Sequence, residues 1–190
     1  MKKIVVAVFL GAALLAAGYL LVQNREAGIP AEARTYESRA YGISFSYPSN
    51  YLLVERELGT PDAPHYGILI IEDTEANRAL LLGEVEGGEG PAAITLDIFP
   101  NQGNLSLETW VRGSADANFG LSPDGILLPA SIGGVEALAY QYDGLYRTDA
   151  AAALHGGSFY LFSGNWSDEK SPLREAYLLV LNSARFAKQP

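Results

Sequence analysis

The pattern of apolar positions changes four times along the chain, and each change marks a switch from one kind of element to another. From Ile4 to Val22 the residues are uniformly apolar behind Lys2 and Lys3, and the run stops at Gln23-Asn24-Arg25-Glu26. A helix of that length reaches roughly 28 Å, about one hydrocarbon core. Beyond a spacer the period becomes two. Tyr41-Gly42-Ile43-Ser44-Phe45-Ser46-Tyr47 alternates and stops at Pro48, Tyr51 to Val54 resumes an extended run, and Ala93 to Phe99 puts Ile94, Leu96 and Ile98 on one face with Thr95 and Asp97 on the other. The near-continuous Ile and Leu of Gly67 to Glu72 predicts a strand covered on both faces.

Between these strands, Asp73 to Arg78 predicts a turn leading into an extended Ala79 to Val85, which makes three or four antiparallel strands before residue 100. A helical period then appears. Ser106 suits an N-cap, with Leu107, Trp110, Val111 and Ser114 on one face and a stop by Asn118 or Gly120. Strands return at Gly125 to Pro129, Val135 to Asp143, Tyr146 to Leu154 and Ser158 to Gly164, the last three as a meander. Gly156-Gly157 and Asp143-Gly144 both predict two-residue hairpin turns. The closing helix is the clearest element: Ser171 caps it, Pro172 opens it, and Leu173, Ala176, Tyr177, Val180, Leu181 and Ala184 share one face.

These segments divide the chain into a leader at residues 1–25, a spacer at 26–34 with Gly28 and Pro30, and one folded domain at 35–190. The lysines ahead of the apolar run place the N-terminus on the cytoplasmic side and the domain outside, so the expectation is a single-pass anchor through Ile4 to Val22 in the cell membrane. A signal peptide cleaved near Ala16-Ala17-Gly18, with the domain secreted, is the alternative. Tyr19 stands where a lipoprotein would carry its acylated cysteine, and the chain has no cysteine at all. The domain must therefore fold without disulfides, which about 165 residues suffice to do.

Setting aside Lys2, Lys3 and Arg25 leaves ten basic residues against 22 acidic ones, a net charge of −12 for the remainder. Such a surface makes nucleic acid and anionic headgroups poor partners; it permits cationic ones or merely keeps the domain soluble. Candidate chemistry is sparse. No Gly-x-Ser-x-Gly elbow, phosphate loop or dinucleotide fingerprint occurs, and two distant histidines without cysteine cannot assemble a zinc site. His65 reads as a loop histidine and His155-Gly156-Gly157-Ser158 as a hairpin turn, although either histidine is the natural candidate for an unfamiliar hydrolase site. Glu84, Glu86 and Glu89 could hold a weak calcium ion or form a charged hairpin tip. Whether Glu72, Asp73 and Asp97 pair as carboxylates depends on strand register. Of the eleven tyrosines, Tyr36, Tyr41, Tyr47, Tyr51 and Tyr66 crowd the N-terminal third, either as core rings with rim hydroxyls or as an exposed protein-binding face.

The segment Ala40-Tyr41-Gly42-Ile43-Ser44-Phe45-Ser46-Tyr47-Pro48-Ser49-Asn50-Tyr51 resembles the opening signature of PsbP-like proteins, an aromatic-Gly-x-x-Phe-x-Tyr-Pro run followed by an aromatic. Leu107-Glu108-Thr109-Trp110, the Ile132-Gly133-Gly134-Val135 turn and Leu178 to Phe186 follow in the order and spacing of that family. The resemblance implies an α+β fold, an α-β-α sandwich around a mainly antiparallel sheet shared with Ran-binding nuclear import factors. Together with the lack of assembled catalytic groups, it implies a non-catalytic protein-binding or assembly module with a partner of unknown identity; an extracytoplasmic hydrolase and a structural envelope component are the alternatives, and the residues themselves lead to no expected cofactor or metal. Residues 26–34 hold only Arg34 against Glu26 and Glu32, so a photosystem-binding basic arm is not expected.

Overall fold

Paired registers, rather than helices, organise the chain. The computed structural model describes residues 32–61, 63–84, 90–166 and 171–187. The leader, most of the spacer, and Glu86 and Glu89 lie outside the described residues. No helix among the described residues is long and apolar enough to cross a membrane.

Among the described residues, ten strands and three helices follow in chain order: β1 Ala33–Ser38, β2 Ile43–Pro48, β3 Tyr51–Thr60, β4 Ala63–Glu72, α1 Glu75–Leu81, β5 Ile94–Pro100, α2 Leu107–Gly113, β6 Leu128–Ile132, β7 Val135–Asp143, β8 Arg147–His155, β9 Ser158–Trp166, α3 Pro172–Ser183 and β10 Arg185–Phe186. A seven-stranded antiparallel sheet runs β3-β4-β5-β9-β8-β7-β6, and a small sheet runs β1-β2-β10. On one face of the large sheet, α3 and the small sheet enclose the main core around Phe45, Ile68, Leu96, Phe162, Tyr177 and Val180. On the other, Trp110 and Val111 of α2 pack over Phe159, Leu161, Ala150 and Ala152. Helices on both faces of an antiparallel sheet make the α-β-α sandwich.

Local chemistry explains most boundaries. Ile94, Leu96 and Ile98 are buried in the main core while Thr95 and Asp97 turn the other way. Ser106 accepts from the Thr109 amide, and Ser171 accepts from the Leu173 amide with Pro172 in the first turn. The nine-residue register from Arg147 to His155 against Ser158 to Trp166 closes through Gly156 and Gly157, both at positive φ, 59° and 76°.

Several expectations change. Asp73 to Arg78 is no turn into a strand: Thr74 accepts from the Asn77 amide, Arg78 grips Asp73 through Nε at 2.5 Å, and α1 follows. Among the described residues five strands, not three or four, begin before residue 100, because β1 begins at Ala33, inside the expected spacer, where it pairs with β2. β3 continues past Val54 to Thr60, since its charged half is held by the β4 ladder. β6 lies three residues later than expected, in register with β7 through the Gly133-Gly134 turn. Asp143-Gly144 is not a two-residue turn, as Asp143 pairs with Arg147 across Gly144, Leu145 and Tyr146. Helix α2 stops at Gly113, and a 3-10 turn at Phe119–Leu121 carries the chain onward.

Candidate functional site

The register of β3, β4 and β5 decides which polar groups meet. Alternation puts Leu53, Glu55 and Glu57 of β3 and Tyr66 of β4 on the main-core face, while His65 and Asp97 lie on the face of α2. The exposed half of β3 therefore carries two carboxylates, Glu55 and Glu57, side by side above the edge of the core.

Glu55 is the hub of the first cluster. The Tyr36 hydroxyl from β1 donates to its Oε1 at 2.5 Å, and the Tyr66 hydroxyl donates to the same oxygen. These two donors hold the Glu55 carboxyl below its ordinary range, whereas burial and then the bond to Glu55 push the Tyr66 hydroxyl up. The Tyr66 ring stacks on Tyr41, centroids 4.2 Å apart, and the Tyr160 hydroxyl donates to the Tyr41 carbonyl at 2.6 Å. An open cleft of about 320 Å³ adjoins this pair, lined by Tyr41, Glu57, Pro64, His65, Tyr66, Ile98, Pro100 and Ser158.

The second cluster lies behind it. His65 stacks on Phe99 at 4.6 Å, and its Nε2 is 3.8 Å from Asp97 Oδ1, too long for a hydrogen bond. Burial raises the Asp97 carboxyl; His65 and a Thr95 hydrogen bond pull it down, and Asp116 adds a further upward push. Phe99 continues the ring series to Trp110 of α2 at 5.3 Å.

The structure separates the other sequence candidates. His155 lies on the opposite face from His65, with Nε2 3.0 Å from the Ala187 carbonyl and its ring against Phe186 at 4.8 Å, so it tacks down the C-terminal strand. Glu72 sits five residues along β4 from Gly67, the partner of Asp97, which separates the two by roughly 17 Å on opposite faces. Asp73 is committed to Arg78. No group of three or more metal-binding side chains occurs among the described residues, and Glu84 lies exposed after α1. The tyrosines divide: Tyr51, Tyr140, Tyr160 and Tyr177 are core residues, whereas Tyr36, Tyr41 and Tyr66 are half-buried around Glu55. Glu55 and Glu57 were missed in the sequence, although Glu-Arg-Glu alternation after Val54 was the available signal.

This architecture is the PsbP-like fold, with the large antiparallel sheet and few helices. No protein-family model and no curated protein matches the chain. Among solved structures, it is similar to cyanobacterial PsbP (CyanoP) from Synechocystis sp. PCC 6803, with a TM-score of 0.51 and 14% sequence identity over 85% of this chain and 96% of that one. At that identity the likeness speaks to fold alone.

Proposed function

We propose that the chain is a membrane-tethered, extracytoplasmic binding or assembly module that does no chemistry of its own, and that it docks its partner at the Tyr41–Tyr66 cleft. One observation carries the reading: two stacked, half-buried rings are presented beside carboxylates in an open cleft where the small sheet meets the large one. Aromatic groups held in place by neighbours lose little conformational freedom on docking and dominate protein interfaces. The acidic balance fits a site outside the cytoplasm that avoids nucleic acid and anionic headgroups.

A photo-crosslinking residue at position 64, an exposed residue lining the cleft, in the full chain expressed in its own host tests this. A discrete adduct from position 64, with none from position 136 on β7, is expected. Equal labelling at both positions, or none at 64, removes the docking surface. Intact mass of the mature protein tests the tether: retention of residues 1–25 supports it, and a start near Tyr19 refutes it.

A hydrolytic reading rests on the half-buried His65–Asp97 pair. It predicts turnover in an ester, phosphate and glycoside screen that disappears in H65A. Activity that survives H65A eliminates it.

A further inference from the structure

We propose that the cleft receives a guanidinium or ammonium side chain from a basic peptide segment, with the Tyr41–Tyr66 rings as its platform and Glu57 as its counter-charge. This rests on the cleft being the docking site.

Charge and shape select that occupant. Glu55 and Glu57 share one face of β3, and among the described residues neither has an ion-pair partner. Arg56 between them points to the opposite face of the strand. Glu55 is already engaged by the Tyr36 and Tyr66 hydroxyls, which leaves Glu57 as the carboxylate that lines the cleft. The field of both reaches the ring pair: after burial, the charges of Glu57 and then Glu55 push the Tyr41 hydroxyl up. Glu57 is the carboxylate in the lining of the cleft, so an anion is disfavoured here relative to a cation.

Among cations, the rings favour an organic one. A calcium ion takes six to eight oxygen ligands. One unengaged carboxylate and two tyrosine rings do not supply them. Guanidinium and ammonium groups gain from an aromatic face and a carboxylate together, and a guanidinium also stacks. The platform is built before the ligand arrives. Tyr66 is pinned through its hydroxyl to Glu55, and the Tyr41 backbone is pinned through its carbonyl to Tyr160. Pro64 and Pro100, from adjacent strands, frame the opening.

The probe is a fluorescein-labelled peptide of sequence Gly-Arg-Gly-Arg-Gly, titrated by anisotropy against the full chain in a non-ionic detergent. A matched peptide carries citrulline, the uncharged isostere, at both arginine positions. Saturable binding of the arginine peptide is expected, weakened about fivefold in Y41L by loss of the ring face. Charge reversal in E57K should weaken it about tenfold, and added salt should weaken it too. E136K, an equal charge change on an exposed residue of β7, should leave it unchanged. Equal losses in E57K and E136K, equal binding of the citrulline peptide, or indifference to E57K each overturn the proposal. Glu57 and Glu136 are exposed and Tyr41 is half-buried, and matching melting curves establish that all three variants fold. A position-64 adduct without arginine-peptide binding sinks the cation and leaves the docking surface standing; loss of both sinks both.

Discussion

The ring of Tyr177 on α3 lies directly on the bare backbone of Gly164 in β9: a Cβ placed at 164 would stand 2.8 Å from Tyr177 Cδ2 and 2.9 Å from Trp166 Cζ3. The closing helix is therefore seated on the sheet through a position that admits no side chain. Gly164→Ala should destabilise the domain by about 1 to 3 kcal/mol, since rings wedged in a packed core must shift. Urea denaturation measures it. An unchanged midpoint contradicts the contact.

The same seat ranks the helix residues. Tyr177 is 3% exposed and Val180 fully buried, while Leu181 is only half-buried. Tyr177→Ala should cost about 3 to 5 kcal/mol and Leu181→Ala about 1 to 2 kcal/mol. Equal losses in denaturation would mean that α3 is rotated from the orientation described.

The Glu55 hub makes a prediction in acid. Because its folded pKa is depressed by Tyr36 and Tyr66, its contribution is present above the ordinary carboxylate pKa and lost as pH falls through the folded value. Replacing both tyrosines by phenylalanine should move the Glu55 titration, followed by carboxyl carbon NMR, up into the ordinary range. No movement would show that the two hydroxyls do not hold the carboxylate.

Asp97 has the opposite sign. Its folded pKa is raised by burial, so the ionised side chain weakens the fold progressively as pH climbs through that value, and the penalty is absent below the ordinary range. Asp97→Asn should raise the melting temperature at pH 7 and leave it nearly unchanged at pH 3. In H65A the Asp97 titration should move higher still, because His65 is the charge that opposes the shift.

Much of the fold was legible because its cues are local. Alternation in Ile94 to Ile98, the Ser106 and Ser171 caps and the paired glycines at 156 and 157 each state a preference of neighbouring residues, and the structure keeps all four. Helix α1 was not legible in this way: Ala79 to Leu82 is apolar without a period, and the lock between Asp73 and Arg78 is what completes the first turn. The charged half of β3 was missed for a related reason, since nothing in Glu55-Arg56-Glu57 shows that β4 will pair with it.

The cleft belongs wholly to the tertiary level. The chain's own letters determined an acidic, cysteine-free α+β domain behind an apolar run, with tyrosines crowded near its start. That Tyr36, Tyr41, Glu55 and Tyr66 converge, while Glu72 is kept from Asp97 and His155 from His65, was decided by strand register and by how the small sheet seats on the large one. A one-residue slip would turn every such side chain to the other face, and register is set by long-range packing that no short stretch of sequence contains.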